Sequence, residues 1–311
     1  MKEFKVSSKL MGSVFHLGIL SHNEVEAKRI LQLGIDEIKR IEKLLSEFLP
    51  DSETSKINQI ASHQAIVIQE ECFALIERSL AISALTKGAF DISVGPLKKL
   101  YDFKNSNFQM PLKSSIKKTL RRVGYQKIKL NHTDKTIRLN QKNMHLSFAA
   151  IGKGYASDRV KRMWQVAGVN SGYINASGDL NTFGTTAEGE AWKIGISNPE
   201  NPSKTLLYLP LHNASVATSG DYEQHFWYQG QRFSHNLNPY TGRPLTGIKS
   251  VTVSSPSAEL SDALATAVYV KGIKEGIAFI NQLPDTHVLI IDDKNQIHFS
   301  KNIQYETLAQ V

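Results

Sequence analysis

Apolar residues recur every three or four positions in several stretches of the chain, and this spacing predicts amphipathic helices. The clearest stretch carries the repeat on Leu31, Ile35, Ile38, Ile41 and Leu45. Helices are predicted from about Glu24 to Leu45, from Glu70 to Lys87 with Gly88 ending it, from Gly154 to Gly168, and from Ser261 to Gly272.

Pairs of short β-forming segments flank turn residues at three places, and each pair predicts a β-hairpin. The paired segments are 127–130 with 136–139, 226–228 with 232–234, and 288–291 with 297–299. Because hairpins join antiparallel strands, we predict an α+β fold with antiparallel sheets packed against long helices. No repeat or Pro/Ser-rich linker divides the 311 residues, so we expect one compact unit, with two lobes as an open alternative.

Composition narrows the function only slightly. The chain has 37 basic and 29 acidic residues, an excess that favours anionic ligands without requiring nucleic acid. No apolar run approaches the roughly 18 residues of a membrane span, and the start, Met1–Lys5, lacks the apolar stretch of a signal peptide. The compartment stays open: cytoplasmic as numbered, periplasmic if a signal has been removed. The single cysteine, Cys72, is expected to be a buried small apolar residue.

A glycine-rich turn is the first candidate for chemistry. The apolar segment from Met144 to Ala149 predicts a strand, and Gly152-Lys153-Gly154 leads from it into a helix. A helix N-terminus attracts anions, and Lys153 would add a full positive charge. The alternatives are an ordinary turn with an exposed lysine, or a dinucleotide fingerprint, which Ser157 matches poorly in the third glycine position.

The second candidate is the pair Asp262 and Thr266. Residues four apart lie on one face of a helix, and a carboxylate beside a hydroxyl suits a hard cation such as Mg²⁺. The alternative is helix capping by Ser261 or Asp262, which stabilises by about 1 kcal/mol. Both readings can hold together.

The third candidate combines Thr218-Ser219-Gly220 with His235 and the turn residues around Asn238. Hydroxyls and an imidazole could face a ligand there, although a lone histidine is more often structural. By itself, the stretch from Gly88 to Leu97 predicts a helix stop, a strand and a turn, with no function.

Together these segments resemble the FAD:protein FMN transferase family, the ApbE-type flavin transferases. The resemblance includes the family's Gly-x-Phe-Asp-x-x-x-Gly-Pro-Leu motif, here Gly88–Leu97. The matching segments follow the family order over nearly the whole chain: 11–13, 46–58, 88–97, 150–156, 175–180, 218–221, 234–242 and 262–266. Three positions depart from the pattern: Ser147 replaces an acidic residue, Ser177 a glycine, and Asn238 an aspartate.

The resemblance implies roles for individual residues. Asp262, His235 and Lys153 would be catalytic. The side chains of Asp262 and Thr266 and the backbone carbonyl of Ala150 would hold Mg²⁺. FAD would contact Met11, Phe48, Ala89, Phe90, Asp91, Ser147, Lys153 and Asn236. Candidates for an aromatic shelf under the flavin ring are Phe48, Tyr222 and Tyr240.

The resemblance also implies an activity. Residues 1–311 would form one flavin transferase domain that moves FMN from FAD to a Thr or Ser hydroxyl of an acceptor redox protein and releases AMP, without a nucleic-acid partner. The alternatives are an FAD pyrophosphatase that uses water instead of the acceptor, a non-catalytic FAD-binding protein, and, least favoured, a nicotinamide oxidoreductase.

Overall fold

The computed structural model of the chain describes residues 1–101, 103, 108–220 and 225–307. The helices are Glu24–Leu45 (α1), Glu53–Ile60 (α2), Glu70–Leu85 (α3), Gly95–Leu100 (α4), Lys113–Leu120 (α5), Gly152–Val166 (α6), Ala258–Lys271 (α7) and Ile273–Ile280 (α8). The strands are Lys2–Leu10 (β1), Ser13–Ser21 (β2), Ile66–Val67 (β3), Ile128–Asn131 (β4), Thr136–Leu139 (β5), Gly172–Ala176 (β6), Asp179–Phe183 (β7), Trp192–Asn198 (β8), Asn201–Leu211 (β9), Ser215–Gly220 (β10), His225–Tyr228 (β11), Gln231–Ser234 (β12), Ile248–Ser255 (β13), His287–Asp292 (β14), Ile297–Phe299 (β15) and Glu306–Thr307 (β16).

An eight-stranded sheet organises the fold, in the order β1-β2-β6-β7-β10-β13-β14-β15. Every neighbouring pair in it is antiparallel. Helices α1, α6, α7 and α8 cover one face. The sheet β16-β9-β8 packs on the other face, through an apolar core shared with β7, β10 and β14. The predicted α+β class and the antiparallel pairing are confirmed.

Strand β14 shows how the sequence pattern produces these two layers. Val288 and Ile290 pack among the residues of α7 and α8, whereas Leu289 and Ile291 join the core beneath the smaller sheet. Successive side chains point to opposite faces of a strand, so a continuous apolar run fits a strand covered on both sides.

Most predicted elements are present. Helix α1 has the predicted bounds, the three hairpins form as β4–β5, β11–β12 and β14–β15, and Cys72 is fully buried. Helix α3 ends two residues early, because Lys87 and Gly88 take left-handed backbone angles and the Gly88 N–H bonds to the Ser83 carbonyl at 2.7 Å.

Two predicted strands are wrong. Residues 144–149, most of which are buried, form no strand, because the side chain of Asn58 is hydrogen-bonded to both the N–H and the carbonyl of Leu146, and the Ser147 N–H bonds to the Ile92 carbonyl. Residues 91–94 likewise form turns that lead into α4. Side-chain and loop partners satisfy these backbone groups in place of a sheet.

Helix α7 begins three residues before the predicted start. Its N-cap is Ser257, whose hydroxyl accepts from the Leu260 N–H at 3.3 Å, so Ser261 is not the cap. Asp158 of α6 strengthens this N-terminus by accepting the N–H groups of Ala258 and Glu259 at 3.0 and 2.9 Å. A carboxylate in this position also interacts favourably with the helix dipole.

Candidate active site

A polar cleft opens where α6, α7 and the ends of two central strands meet. Its volume is about 180 Å³. Its lining comes from seven separate segments: loop 89–94, Lys98 of α4, residues 147–153, Asp179 of β7, residues 218–220 of β10, loop 235–239, and Asp262 and Thr266 of α7. Of the residues predicted to be catalytic, to hold Mg²⁺ or to contact FAD, all except Met11 and Phe48 line this cleft.

The close contact between α6 and α7 depends on Gly154. A Cβ at this position would lie 2.2 Å from the Ala258 carbonyl oxygen, a distance that no real side chain tolerates. With glycine, the two helix N-termini approach, and the Gly154 N–H donates to Oδ2 of Asp262 at 3.3 Å. The Gly152 N–H bonds to the Phe148 carbonyl, so the predicted anion cradle has both glycine N–H groups engaged within the protein.

Asp262 is an acid of the cleft whose pKa is strongly raised. Its side chain is buried, and burial together with the nearby Asp179 carboxylate raises its pKa to about 7, against the opposing effect of Lys153. Lys153 interacts with both acids: its Nζ is 3.1 Å from Oδ2 of Asp179, and its positive charge lowers the pKa of Asp262. A buried carboxylate near a second one is an environment that a bound cation stabilises.

The oxygen atoms around Asp262 fit Mg²⁺. Thr266 lies one turn further along α7, its Oγ1 is 3.2 Å from Oγ of Ser219, and Ala150 lines the same cleft. Carboxylate, hydroxyl and carbonyl oxygens are the ligands a hard cation prefers. Among the described residues, no group of three or more His, Cys, Asp or Glu side chains offers a metal cluster, so the site would depend on these mixed oxygens and on the substrate.

Asp179 is a site residue for which sequence reasoning found no role. The tight hairpin between β6 and β7 places it, because Ser177 and Gly178 both have positive φ, at 58° and 105°. Two such residues form the turn type that matches strand twist, which explains how Ser177 replaces a glycine. Oδ1 of Asp179 then accepts the Thr218 N–H at 2.9 Å. The sequence pointed to Asp179 only through the family-like segment 175–180, in which this residue lies.

The loop after β12 presents His235 and Asn236 to the cleft. Asn238 holds the turn in which this loop reverses direction, because its Oδ1 accepts the N–H groups of Tyr240 and Thr241 at 2.9 and 3.1 Å. An asparagine oxygen performs this turn function as an aspartate would. The departure at position 238 therefore preserves the loop.

Loop 89–94 contributes Ala89, Phe90 and Asp91. Asp91 is buried, and its carboxylate accepts from the Ser93 N–H, the Ser93 hydroxyl and the Tyr125 N–H at 2.8, 2.6 and 2.9 Å. Burial nevertheless raises its pKa above the usual range. These bonds show that Asp91 organises the loop.

A second, more apolar pocket of about 420 Å³ adjoins the cleft, and the two share Ala149 and Lys153. Met11 and Phe48 lie in it, and Phe48 is 88% exposed. Tyr240 is 55% exposed and donates to the Lys87 carbonyl, outside both pockets. Tyr222 lies outside the described residues.

One further set of contacts was not foreseen. Lys98 Nζ donates to Oγ of Ser147 at 3.2 Å, and that hydroxyl donates to Oε1 of Glu47 at 2.9 Å. Ser147 had been singled out as a departure from the family pattern. Glu47 lies in the family-like segment 46–58 but was assigned no role, and Lys98 lies just beyond the segment 88–97, because their proximity to Ser147 depends on the tertiary fold.

Comparison with known proteins first gives a class: the fold is similar to that of solved flavin transferases. The chain belongs to the ApbE family, whose sequence profile matches residues 11–290. A Klebsiella pneumoniae protein named FAD:protein FMN transferase is 32% identical over 299 residues, covering 96% of this chain and 92% of that protein. The resemblance inferred from the motifs is confirmed.

Solved structures agree with this assignment. The ApbE protein of Thermotoga maritima is 29% identical, with a TM-score of 0.89 over 96% of this chain and 97% of that one. The flavin transferase ApbE of Vibrio cholerae, 22% identical with a TM-score of 0.85 and the same coverage, shares the fold. Among the described residues, no helix is long and apolar enough to cross a membrane.

Proposed function

We propose that this chain is a Mg²⁺-dependent enzyme that transfers FMN from FAD to a Thr or Ser hydroxyl of an acceptor redox protein and releases AMP. The observation that supports this most is the convergence of Asp262, Thr266, Lys153 and His235 on one cleft in a chain of the ApbE family. The adjoining apolar pocket offers room for a ring system beside the polar cleft.

Phosphate binding belongs to the polar cleft. The Lys153 ammonium would hold the pyrophosphate oxygens on which charge develops during transfer. Asp262, Thr266 and the backbone carbonyl of Ala150 would hold Mg²⁺, which when bound supplies Lewis-acid neutralisation of the pyrophosphate. Ala89, Phe90, Asn236, Met11 and Phe48 would contact the rest of FAD, with Asp91 shaping the loop beneath it.

The transfer itself exchanges one P–O bond for another. The acceptor oxygen bonds to the FMN-side phosphorus, the bond from that phosphorus to the bridging oxygen breaks, and AMP departs with the bridging oxygen. The hydroxyl proton needs a base, and we assign this role to His235, which follows β12 and lines the cleft.

Incubation with FAD and Mg²⁺, with and without a protein extract of the source organism, tests this function. We expect AMP release matched by flavin that stays on an acceptor polypeptide in a denaturing gel, and loss of both with Asp262→Ala. AMP release without protein-bound flavin would show that water is the acceptor, as in an FAD pyrophosphatase. Absence of AMP under every condition would contradict the proposal.

A further inference from the structure

Lys98 is a second ammonium in the cleft, and the fold holds it there through two other residues. It projects from α4, whereas Ser147 precedes α6 and Glu47 follows α1, so the three come from distant parts of the sequence. The hydrogen bonds run in one direction: the ammonium donates to the serine hydroxyl, which donates to the carboxylate. This polarity fits a charged lysine and an ionised glutamate.

The three residues lie along the wall between the two pockets. Lys98 and Ser147 line the polar cleft, and Glu47 lines the apolar pocket beside it. Ser147 is buried, so its hydroxyl is held in place between the Lys98 ammonium and the Glu47 carboxylate. The Lys98 side chain remains accessible to solvent. Desolvation of its ammonium in the cleft lowers its pKa, while the charges of Glu47 and Asp262 oppose that shift and favour the charged form.

Its neighbour Lys99 is a natural comparison. Lys99 lies on the same helix and carries the same charge, but its Nζ contacts Nδ1 of His145 at 3.3 Å and it does not line the cleft. Only Lys98 is therefore directed toward the site. The presence of two ammonium groups, Lys98 and Lys153, in a small cleft is typical of a site for a doubly charged anion.

We infer that Lys98 is a substrate-binding residue that contacts the pyrophosphate of a dinucleotide, and that Glu47, acting through Ser147, is the positioning residue that points it into the cleft. The inference rests on the proposed function, since it gives Lys98 a place on the same substrate. The diphosphate would lie where the two pockets meet, and Lys98 would take no part in the chemical step.

Equilibrium binding without turnover tests the inference. We would measure dissociation constants in metal-free buffer for FAD, for ADP, which keeps the diphosphate, and for riboflavin, which lacks phosphate. Lys98→Met should weaken FAD and ADP about tenfold, the usual size for one charge-assisted contact, and leave riboflavin unchanged. Lys98→Arg should recover most of the loss, and Lys99→Met should bind all three like the wild type.

Glu47→Gln should weaken FAD and ADP by a smaller factor, about threefold, again without affecting riboflavin. The dependence of FAD affinity on salt should be less steep in Lys98→Met than in Lys99→Met, because one screened charge contact is gone. Thermal unfolding of each variant verifies the fold, and Lys98→Gln replaces Lys98→Met if the latter unfolds.

Equal FAD and ADP affinities in Lys98→Met and Lys99→Met would overturn the inference and leave the proposed function standing. A parallel loss for riboflavin would also overturn it, since that result means a general distortion of the site. If the wild type binds ADP in a Lys98-dependent way but does not bind FAD, the proposed function fails while the assignment of Lys98 to a diphosphate holds.

Discussion

At the scale of single residues, the site is governed by one carboxylate that is poorly stabilised in the free protein. Asp262 is buried, Asp179 repels it, and its hydrogen bond from the Gly154 N–H is long at 3.3 Å. These effects keep its pKa near 7 in the absence of a cation. A bound divalent ion would offset this cost, because its positive charge stabilises the ionised carboxylate and lowers the pKa of Asp262.

This shift predicts how stability depends on pH in metal-free buffer. A carboxyl group whose pKa is raised on folding binds more protons in the native state, so its contribution is present below pH 4 and is lost as pH rises through about 7. Asp262→Asn should therefore match the wild type near pH 4 and be more stable by roughly 4 kcal/mol at pH 8.

Urea unfolding across that pH range measures the effect. Asp285→Asn is a control, since Asp285 lies in a turn outside the cleft. A wild type that gains stability between pH 4 and 8 relative to Asp262→Asn would contradict the electrostatic description of the site.

Adding Mg²⁺ should raise the wild-type melting temperature and leave that of Asp262→Asn unchanged.

Part of this chemistry could be predicted from local sequence. The i, i+4 spacing places Asp262 and Thr266 on one helix face wherever the helix begins, so the error in the start of α7 did no harm. The positions of Asp179 and Lys98 could not be predicted in this way. Their distances from Asp262 are set by a hairpin and by a helix–loop packing that no local pattern encodes.

At the scale of elements, the site exists because two helix N-termini approach closely. Gly154 permits the contact, and Asp158 ties the two helices together by accepting backbone N–H groups at the start of α7. The same contact places the Asp262 carboxylate against α6. The packing of α6 against α7 therefore also sets the geometry of the site.

Substitution of Gly154 tests that statement. Gly154→Ala would place a methyl group 2.2 Å from a backbone oxygen, so the helices must separate, and we expect a loss of about 3 kcal/mol in the free energy of unfolding. Gly152→Ala is the matched control, because its nearest neighbour would be 3.6 Å away and helix formation favours alanine. Equal stability of the two variants would show that the close approach is not required.

Element prediction succeeded where a periodic pattern decides the structure, as in α1 and the three hairpins. It failed for residues 144–149, because an apolar segment can be buried without a neighbouring strand when a side chain such as Asn58 satisfies its backbone. The sequence offers no local sign of that partner, which lies 88 residues from Leu146.

At the scale of the whole molecule, the fold brings residues from seven segments to one cleft beside an apolar pocket. Hairpin signals predicted the antiparallel class, but the order of strands in the central sheet was not predictable, since β2 pairs with β6 across more than 150 residues of sequence. Only the resemblance of the motifs to a known family indicated that these distant segments form one site.

The proposed function depends on a divalent ion held by Asp262 and Thr266 against the diphosphate of FAD. The most direct measurement is a crystal structure with FAD and Mn²⁺ in place of Mg²⁺, recorded with anomalous scattering. We predict an anomalous peak within bonding distance of the Asp262 carboxylate and the Thr266 hydroxyl, adjacent to the FAD pyrophosphate. Bound FAD whose pyrophosphate lies outside this cleft, or a cleft holding FAD with no ion at those two oxygens, would contradict the account.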